Sequence, residues 1–154
     1  MSINLRLVDI AECEKLWKMQ VEAFSELLEK YKDYETNPAN EPMSRVEDRL
    51  RQSFTYYYFI MDEETAVGAV RVVDMKDGSQ KRISPIFIMP EYRGKGYAQA
   101  AITAVEKLHG SENWSLGTIL QEVGNCYLYE KMGYRRTGET EVINERMTII
   151  GYEK

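Results

Sequence analysis

Cysteine and histidine are scarce in this chain of 154 residues, which contains two cysteines, Cys13 and Cys126, and one histidine, His109. Two cysteines are too few for the disulfide framework that stabilises many small secreted domains. One histidine and two widely separated cysteines do not supply the ligands of a structural zinc site, so no metal is expected. The chain must therefore depend on an ordinary hydrophobic core, to which we expect Cys126 to contribute.

Long hydrophobic runs and an excess of basic residues are also missing. No run reaches the roughly 18 apolar residues that a membrane-spanning helix needs. Residues 1–8 lack the basic segment and apolar stretch of a secretory signal peptide. The formal net charge of −5 argues against a surface that binds nucleic acid. These absences predict a cytoplasmic protein that has neither a membrane nor a nucleic acid as its partner.

The hydrophobic periodicity predicts a single mixed α/β domain that spans residues 1–154. Asp9 and Glu12 have the spacing of a capping box and predict the start of a first helix. Ser44 and Glu47 have the same spacing and predict the start of a second helix. The N-terminal part is therefore expected to contain two helices after a first short strand.

Two further helices are predicted in the C-terminal half. One begins near Ala98 and ends at Gly110, so His109 in its last turn is expected to face solvent or the helix dipole. Asn125 is expected to cap a short helix that ends at Gly133. Runs typical of strands, the second to fourth of which form an antiparallel meander, occur at residues 3–7, 56–61, 66–73, 83–89, 115–121, 134–139 and 147–152.

A glycine-containing segment, Arg93-Gly94-Lys95-Gly96, joins the third strand of this meander to a helix. The first N–H groups of a helix have no backbone partner, and the helix dipole favours an anion there. Gly94 and Gly96 would let phosphates approach the backbone, and Arg93 and Lys95 would add positive charge. In an acidic protein this predicts a site for a phosphorylated small molecule, although a tight turn with solvated basic residues would have the same sequence.

Two better-known phosphate-binding motifs are excluded. The chain has no Gly-x-x-x-x-Gly-Lys-Ser/Thr sequence, so it has no P-loop. Gln99 stands where the dinucleotide-binding motif Gly-x-Gly-x-x-Gly needs its third glycine. The antiparallel meander also replaces the parallel βαβ unit that a dinucleotide-binding fold requires.

The segment Arg93–Ala98 resembles the Gln/Arg-x-x-Gly-x-Gly/Ala motif of the GNAT superfamily of acyl-CoA N-acyltransferases. The strand before it, Ile86-Phe87-Ile88-Met89-Pro90-Glu91, is similar to the central strand and proline turn of that family. Asn125, followed by Leu128-Tyr129-Glu130-Lys131 and then Gly133, resembles the family's second signature. The resemblance covers nearly the whole chain. It implies an α/β (α+β) fold with a mixed, mostly antiparallel sheet, a central splay and helices on both faces.

The resemblance implies acetyl-CoA as the co-substrate and suggests how the chain would hold it. Backbone N–H groups of the glycine segment would bind the pyrophosphate, and the strand at residues 86–88 would pair with the pantetheine arm. The splay between this strand and the strand at residues 115–121 would admit the arm. The cofactor-binding residues implied in this way are Ile86, Phe87, Ile88, Arg93, Gly94, Lys95, Gly96, Tyr97, Ala98, Asn125 and Tyr129.

The resemblance also implies an N-acetyltransferase in which a primary amine attacks the acetyl thioester directly. Tyr129 would be the general acid that protonates the departing thiolate. A backbone N–H on the splayed strand, such as that of Ile88, would stabilise the oxyanion. Glu122, Ser84 and Asp74 are the candidates for the general base, and the sequence does not choose among them.

The acceptor is expected to be the primary amine of a small molecule or a peptide. In the family, the loop between the first two helices covers the acceptor pocket, and here that loop is residues 31–43. Acidic and aromatic side chains in it would suit a cationic amine. The candidate acceptor-binding residues are Tyr31, Tyr34, Glu35 and Glu41.

The same resemblance leaves a second function open, namely a catalytically silent CoA-binding sensor or interaction module with this fold. The intact glycine segment and Tyr129 favour the enzyme. A homodimer is compatible with either function.

Overall fold

The structure, a computed structural model, describes residues 2–154, which are built around one open sheet of seven strands. The strands are β1 (Asn4–Leu7), β2 (Thr55–Asp62), β3 (Thr65–Val73), β4 (Lys81–Ile88), β5 (Trp114–Ile119), β6 (Arg135–Asn144) and β7 (Met147–Glu153). Their order in the sheet is β1-β2-β3-β4-β5-β7-β6. Among the described strands, β4 and β5 are the one parallel pair, so the predicted mostly antiparallel sheet is confirmed.

Four helices cover the two faces of this sheet: α1 (Cys13–Tyr31), α2 (Met43–Leu50), α3 (Tyr97–His109) and α4 (Val123–Lys131). Leu16 of α1 and Val46 of α2 are fully buried in a cluster with Phe87 on one face. Ile102 of α3 and Tyr129 of α4 belong to the larger core on the other face. The prediction of helices on both faces is therefore confirmed. None of the helices in residues 2–154 has the length and apolar character needed to cross a membrane.

Two of the predicted helix starts are wrong. α2 begins one residue before Ser44 and has no side-chain cap, because Pro42, whose ring fixes φ, supplies the extended residue from which the helix starts. α4 begins two residues before Asn125, which therefore lies in the first turn instead of capping it. The capping box of Asp9 and Glu12 is present, although it closes a single 3₁₀ turn immediately before α1.

The predicted central splay is formed where β4 and β5 separate. Only Lys81 and Arg82 of β4 pair with β5. Farther along, the register between β4 and β3 shifts by one residue between Ile83 and Ile86. An extra residue of this kind bends the strand that carries it, and Pro85 in the shifted segment has no N–H to donate. The second half of β4 is therefore open on the side of β5.

His109 is buried at the closed end of the sheet, where β4 and β5 are paired, so the expectation of a solvated side chain is wrong, although the residue does lie in the last turn of α3. Its side chain is 4% exposed. Its Nδ1 lies 2.8 Å from Oδ2 of Asp74, and its Nε2 lies 2.8 Å from the hydroxyl of Tyr58. Because an ionised carboxylate only accepts hydrogen bonds, Nδ1–H donates to Asp74, and the Tyr58 hydroxyl is the partner of Nε2. The ring therefore has a partner at each nitrogen.

Replacing Asp74 with alanine is expected to destabilise the protein by about 1.5–3 kcal/mol near neutral pH, because His109 loses a charged hydrogen-bond partner. Burial opposes ionisation of Asp74, but hydrogen bonds from His109 and from the N–H of Lys76 outweigh it and lower the pKa of the carboxyl. A lowered folded pKa gives stability that is present above the ordinary aspartate pKa, about 3.9, and lost as the pH falls below it.

Urea denaturation at neutral pH and near pH 3 measures both effects. The difference between wild type and Asp74→Ala should shrink at the lower pH. Asp77→Ala is the matched control, since Asp77 is exposed and hydrogen-bonds only within its own turn, to Ser79. An equal loss for both variants would contradict the role assigned to the buried pair.

Candidate active site

At the splay, the carbonyl of Ile88 accepts from Arg93, whereas the N–H of Ile88 has no strand partner on this side within residues 2–154. The N–H of Met89, directly after β4, donates to the carbonyl of Val67 at 2.8 Å. Because main-chain groups of a strand alternate between its two sides, the N–H of Ile88 points the other way, toward β5. β5 has already diverged at that level, so this N–H has no strand to pair with on that side. Such a group can pair with an extended ligand or stabilise a negatively charged oxygen.

The glycine segment follows this strand and leads into α3. Gly94 and Gly96 have φ angles of +75° and +87°, in the left-handed region that favours glycine, and Gly96 is the N-cap of α3. Within residues 2–154 no acceptor pairs with the backbone N–H groups of residues 94–98. The segment therefore has the geometry of an anion-binding turn at a helix N-terminus, and its free N–H groups could hold a pyrophosphate.

The two basic side chains of this segment point in different directions. Arg93 donates from Nε to the carbonyl of Ile88 at 3.0 Å and from Nη2 to the carbonyl of Ala23 at 2.7 Å. Its guanidinium also lies 3.5 Å from Glu26. Arg93 therefore ties α1 to the end of β4. The side chain of Lys95 is exposed and keeps its charge available.

The side chains of the remaining predicted cofactor-binding residues range from buried to exposed. Tyr97 is a core residue whose hydroxyl donates to Asp62, so only its backbone faces the turn. Phe87 faces α1 and packs on Phe24, with ring centroids 5.7 Å apart. Asn125 is exposed in the first turn of α4. Two half-buried side chains pack on the core beneath α3, those of Ile86 and Ala98.

Tyr129 projects from α4 into the core and is 7% exposed. It lies among two other tyrosines, Tyr134 and Tyr152, with ring centroids 6.1 and 6.0 Å away. The hydroxyls of those two donate to Glu106 and Glu130, whereas the Tyr129 hydroxyl has no partner within the described part of the chain. Burial raises the pKa of Tyr129 above its usual range, so the phenol stays protonated and able to donate.

Glu122 stands between β5 and α4, where its carboxylate reaches the end of α1. Its Oε2 accepts from Nζ of Lys30 at 2.7 Å and from the hydroxyl of Tyr31 at 2.5 Å. Burial opposes ionisation of the carboxyl, but these hydrogen bonds outweigh it and lower the pKa of Glu122. Asn144 donates to the carbonyl of Tyr31 at 2.9 Å and so fixes the end of α1 against the turn between β6 and β7.

The other predicted acceptor residues, Tyr34, Glu35 and Glu41, take no part in the contact between Tyr31 and Glu122. Tyr34 is 58% exposed, and Glu35 is also exposed. The carboxylate of Glu41 pairs with Arg49 at 2.7 Å and accepts from Gln20 at 3.2 Å, so its charge is already compensated. Of the four predicted acceptor residues, the structure thus brings Tyr31 to Glu122 and holds the others elsewhere.

The two other candidate bases lie on β4 and beyond β3. Ser84 is half-buried in the shifted segment of β4, and its carbonyl accepts from Arg71 at 3.0 Å. Asp74 follows the end of β3, six residues from Gly68, which is the partner of Ile88. Six residues of strand correspond to about 20 Å. Asp74 therefore does not reach the open N–H of Ile88.

The cysteines take no part in this site. Cys126 is 5% exposed, and its sulfur lies 3.8 Å from the carbonyls of Ile119 and Leu120, so it packs as a small core residue. Cys13 is partly exposed near the start of α1. Across residues 2–154, no three His, Cys, Asp or Glu side chains come together as a metal-binding group.

Most of the chain matches the sequence profile of one known protein family. The sequence profile described as the acetyltransferase (GNAT) family matches residues 16–134, which is well over half of the chain. The matched region contains the glycine segment, both strands of the splay, Glu122 and Tyr129. No curated protein sequence is significantly similar to the chain.

Several solved structures share the fold at low sequence identity. Spermidine N-acetyltransferase from Vibrio cholerae, in complex with CoA and spermine, is 17% identical with a TM-score of 0.76, over 97% of this chain and 93% of that chain. PaiA N-acetyltransferase from Thermoplasma acidophilum, in complex with coenzyme A, is 15% identical with a TM-score of 0.73, over 100% of both chains. The microcin C7 self-immunity acetyltransferase MccE, with acetyl-CoA and AMP, is 16% identical with a TM-score of 0.74, over 99% and 91%.

Proposed function

The chain belongs to the acetyltransferase (GNAT) family, and from this premise we propose that it is an N-acetyltransferase that uses acetyl-CoA. The acceptor is a primary amine of a small molecule or a peptide, and it attacks the thioester directly. The observation that carries the proposal is the open edge of β4 at Ile88, beside a glycine turn whose N–H groups have no partners within residues 2–154. Structures of the same fold that contain CoA or acetyl-CoA support the co-substrate, and a spermidine N-acetyltransferase among them supports an amine acceptor.

The reaction assigns a task to each part of the cleft. Acetyl-CoA supplies an acetyl group that is activated as a thioester. The N–H groups of residues 94–98 bind the pyrophosphate, and the edge of β4 and the side chain of Asn125 orient the pantetheine arm. The N–H of Ile88 donates to the acetyl oxygen as negative charge develops there. Tyr129 holds a proton on its hydroxyl and gives it to the sulfur as the carbon–sulfur bond breaks.

Glu122 is poorly suited to accept the proton that the amine loses. Its pKa is lowered, and Oε2 already accepts two hydrogen bonds. An alkylammonium has a pKa of about 10.4, so a carboxylate of this kind has little affinity for its proton. We therefore assign Glu122 a binding role, and the acceptor attacks as the free amine, whose ammonium form has already lost its proton to the bulk buffer. The proton that leaves the nitrogen after the attack also passes to the bulk solvent, from which Tyr129 regains the proton that it gave to the sulfur.

An acetyl-transfer assay tests the proposed function. Purified protein is incubated with acetyl-CoA and a panel of amines, and free CoA thiol and the acetylated product are measured. We expect CoA release that depends on the amine. Acetyl-CoA alone should stabilise the fold by about 2.7 kcal/mol at 100 times its Kd. Stabilisation without release for any amine would favour the silent CoA-binding module, and the absence of both would contradict the proposal.

A further inference from the structure

An ammonium group of the protein itself, that of Lys30, lies where the end of α1 meets the start of α4. The Nζ of Lys30 lies 2.7 Å from Oε2 of Glu122 and 5.1 Å from the centroid of the Tyr31 ring. The Tyr31 hydroxyl donates to the same carboxylate oxygen. A carboxylate together with an aromatic ring is the combination that recognises an alkylammonium ion. The contact therefore has the chemistry of a cation-binding site that is already filled.

Tyr31 and Glu122 are held more firmly in this contact than Lys30 is. Tyr31 is 3% exposed, and Asn144 fixes its carbonyl. The Glu122 side chain is 23% exposed and is held by the Tyr31 hydroxyl. The Lys30 side chain is 60% exposed and has four rotatable bonds. The carboxylate and ring are therefore a preformed site, and the lysine is an occupant that a competing cation can displace.

Glu122 lies near the residue that we propose as the general acid, Tyr129. Glu122 precedes α4, and Tyr129 lies seven residues later, which is about 10 Å along a helix. We propose, on the basis of the proposed function, that Glu122 and Tyr31 bind a second cationic group of the acceptor. The Lys30 ammonium occupies this subsite in the free enzyme. The acceptor is accordingly a diamine or polyamine, with one amine at the thioester and another at Glu122.

This arrangement makes Lys30 a competitor of the acceptor. A diamine binds fully only when Lys30 has left the carboxylate, so its apparent affinity is reduced by the fraction of time that the lysine occupies the site. A monoamine of equal length has no second ammonium and does not compete. The ratio of KM for the diamine to KM for the monoamine therefore reports on the subsite alone.

Cadaverine and pentylamine, which have the same carbon chain and differ by one amine, are the probes. Lys30→Met is expected to lower the ratio of KM for cadaverine to KM for pentylamine by about 3- to 10-fold. Glu122→Gln is expected to raise that ratio by about tenfold, since the carboxylate charge is lost. Lys18→Met is the matched control, because Lys18 lies on the same helix in an exposed pair with Glu14, and its ratio should equal that of wild type.

Calorimetric titration of cadaverine into the CoA complex gives the same comparison without turnover. Binding should tighten in Lys30→Met and weaken in Glu122→Gln, and thermal melting checks that each variant is folded. If amines are acetylated but the ratio and the cadaverine affinity are the same in all variants, the subsite is wrong and the proposed function stands. If no amine is acetylated, the proposed function fails, and calorimetry alone decides on the subsite.

Discussion

Replacing Tyr129 with phenylalanine is expected to lower kcat by about 10²- to 10⁴-fold, the usual contribution of a positioned general acid. The change removes one oxygen atom and keeps the ring that packs against Tyr134 and Tyr152. The Tyr129 hydroxyl has no hydrogen-bond partner within residues 2–154, so its loss leaves no buried group unsatisfied. Stability and the Kd of acetyl-CoA should therefore change little, and the effect should fall on the chemical step.

Tyr127→Phe is the matched control, because Tyr127 lies on the same helix and is 68% exposed. Stopped assays of CoA release give kcat, and calorimetry with CoA gives the Kd. The pH profile adds a second readout: burial raises the pKa of Tyr129, so wild-type activity should not fall from its deprotonation up to about pH 10. Equal kcat values for Tyr129→Phe and Tyr127→Phe would contradict the acid assignment.

The glycine segment could be predicted from the sequence because its chemistry is local. Gly94 and Gly96 adopt the left-handed conformation that their lack of a side chain permits, and the helix that follows begins at the next residue. The splay was implied by the family resemblance, but its physical cause is visible only in the register. The shift beside Pro85 occurs opposite another strand, so no pattern within β4 reveals it.

Contacts between distant residues could not be predicted in this way. His109 is buried because Asp74 and Tyr58, which are 35 and 51 residues away, satisfy its two nitrogens. Periodicity within α3 carries no information about such partners. Lys30 and Glu122 are 92 residues apart, and each alone has the appearance of an ordinary surface charge. Such pairs form only when helix ends and strand ends meet in the folded chain.

Gly68 of β3 lies against the part of β4 that borders the splay. It lies opposite Ile88 in the register of β3 and β4. A Cβ atom at this position would lie 2.1 Å from the carbonyl oxygen of Phe87 and 3.0 Å from Cα of Ile88. Both of these are main-chain atoms, so no side-chain rotation can relieve the overlap. The close approach of the two strands therefore requires glycine, a requirement that the hydrophobic pattern of β3 does not show.

Gly68→Ala is expected to destabilise the protein by about 3 kcal/mol and to lower its melting temperature by roughly 6–12 °C, as measured by calorimetry. Because relief of the overlap must move Phe87 and Ile88, the affinity for CoA should fall as well. Gly124→Ala is the control: Gly124 lies in α4 with no atom within 4 Å of the added Cβ, so alanine should stabilise the helix by about 0.5–1 kcal/mol. If Gly68→Ala has the melting temperature and the CoA affinity of wild type, the edge of β4 does not depend on the close approach of Gly68 to Phe87 and Ile88. If Gly68→Ala lowers the stability while Gly124→Ala raises it, the loss is specific to position 68. The main-chain position of Ile88 then depends on the lack of a side chain at Gly68 on the neighbouring strand.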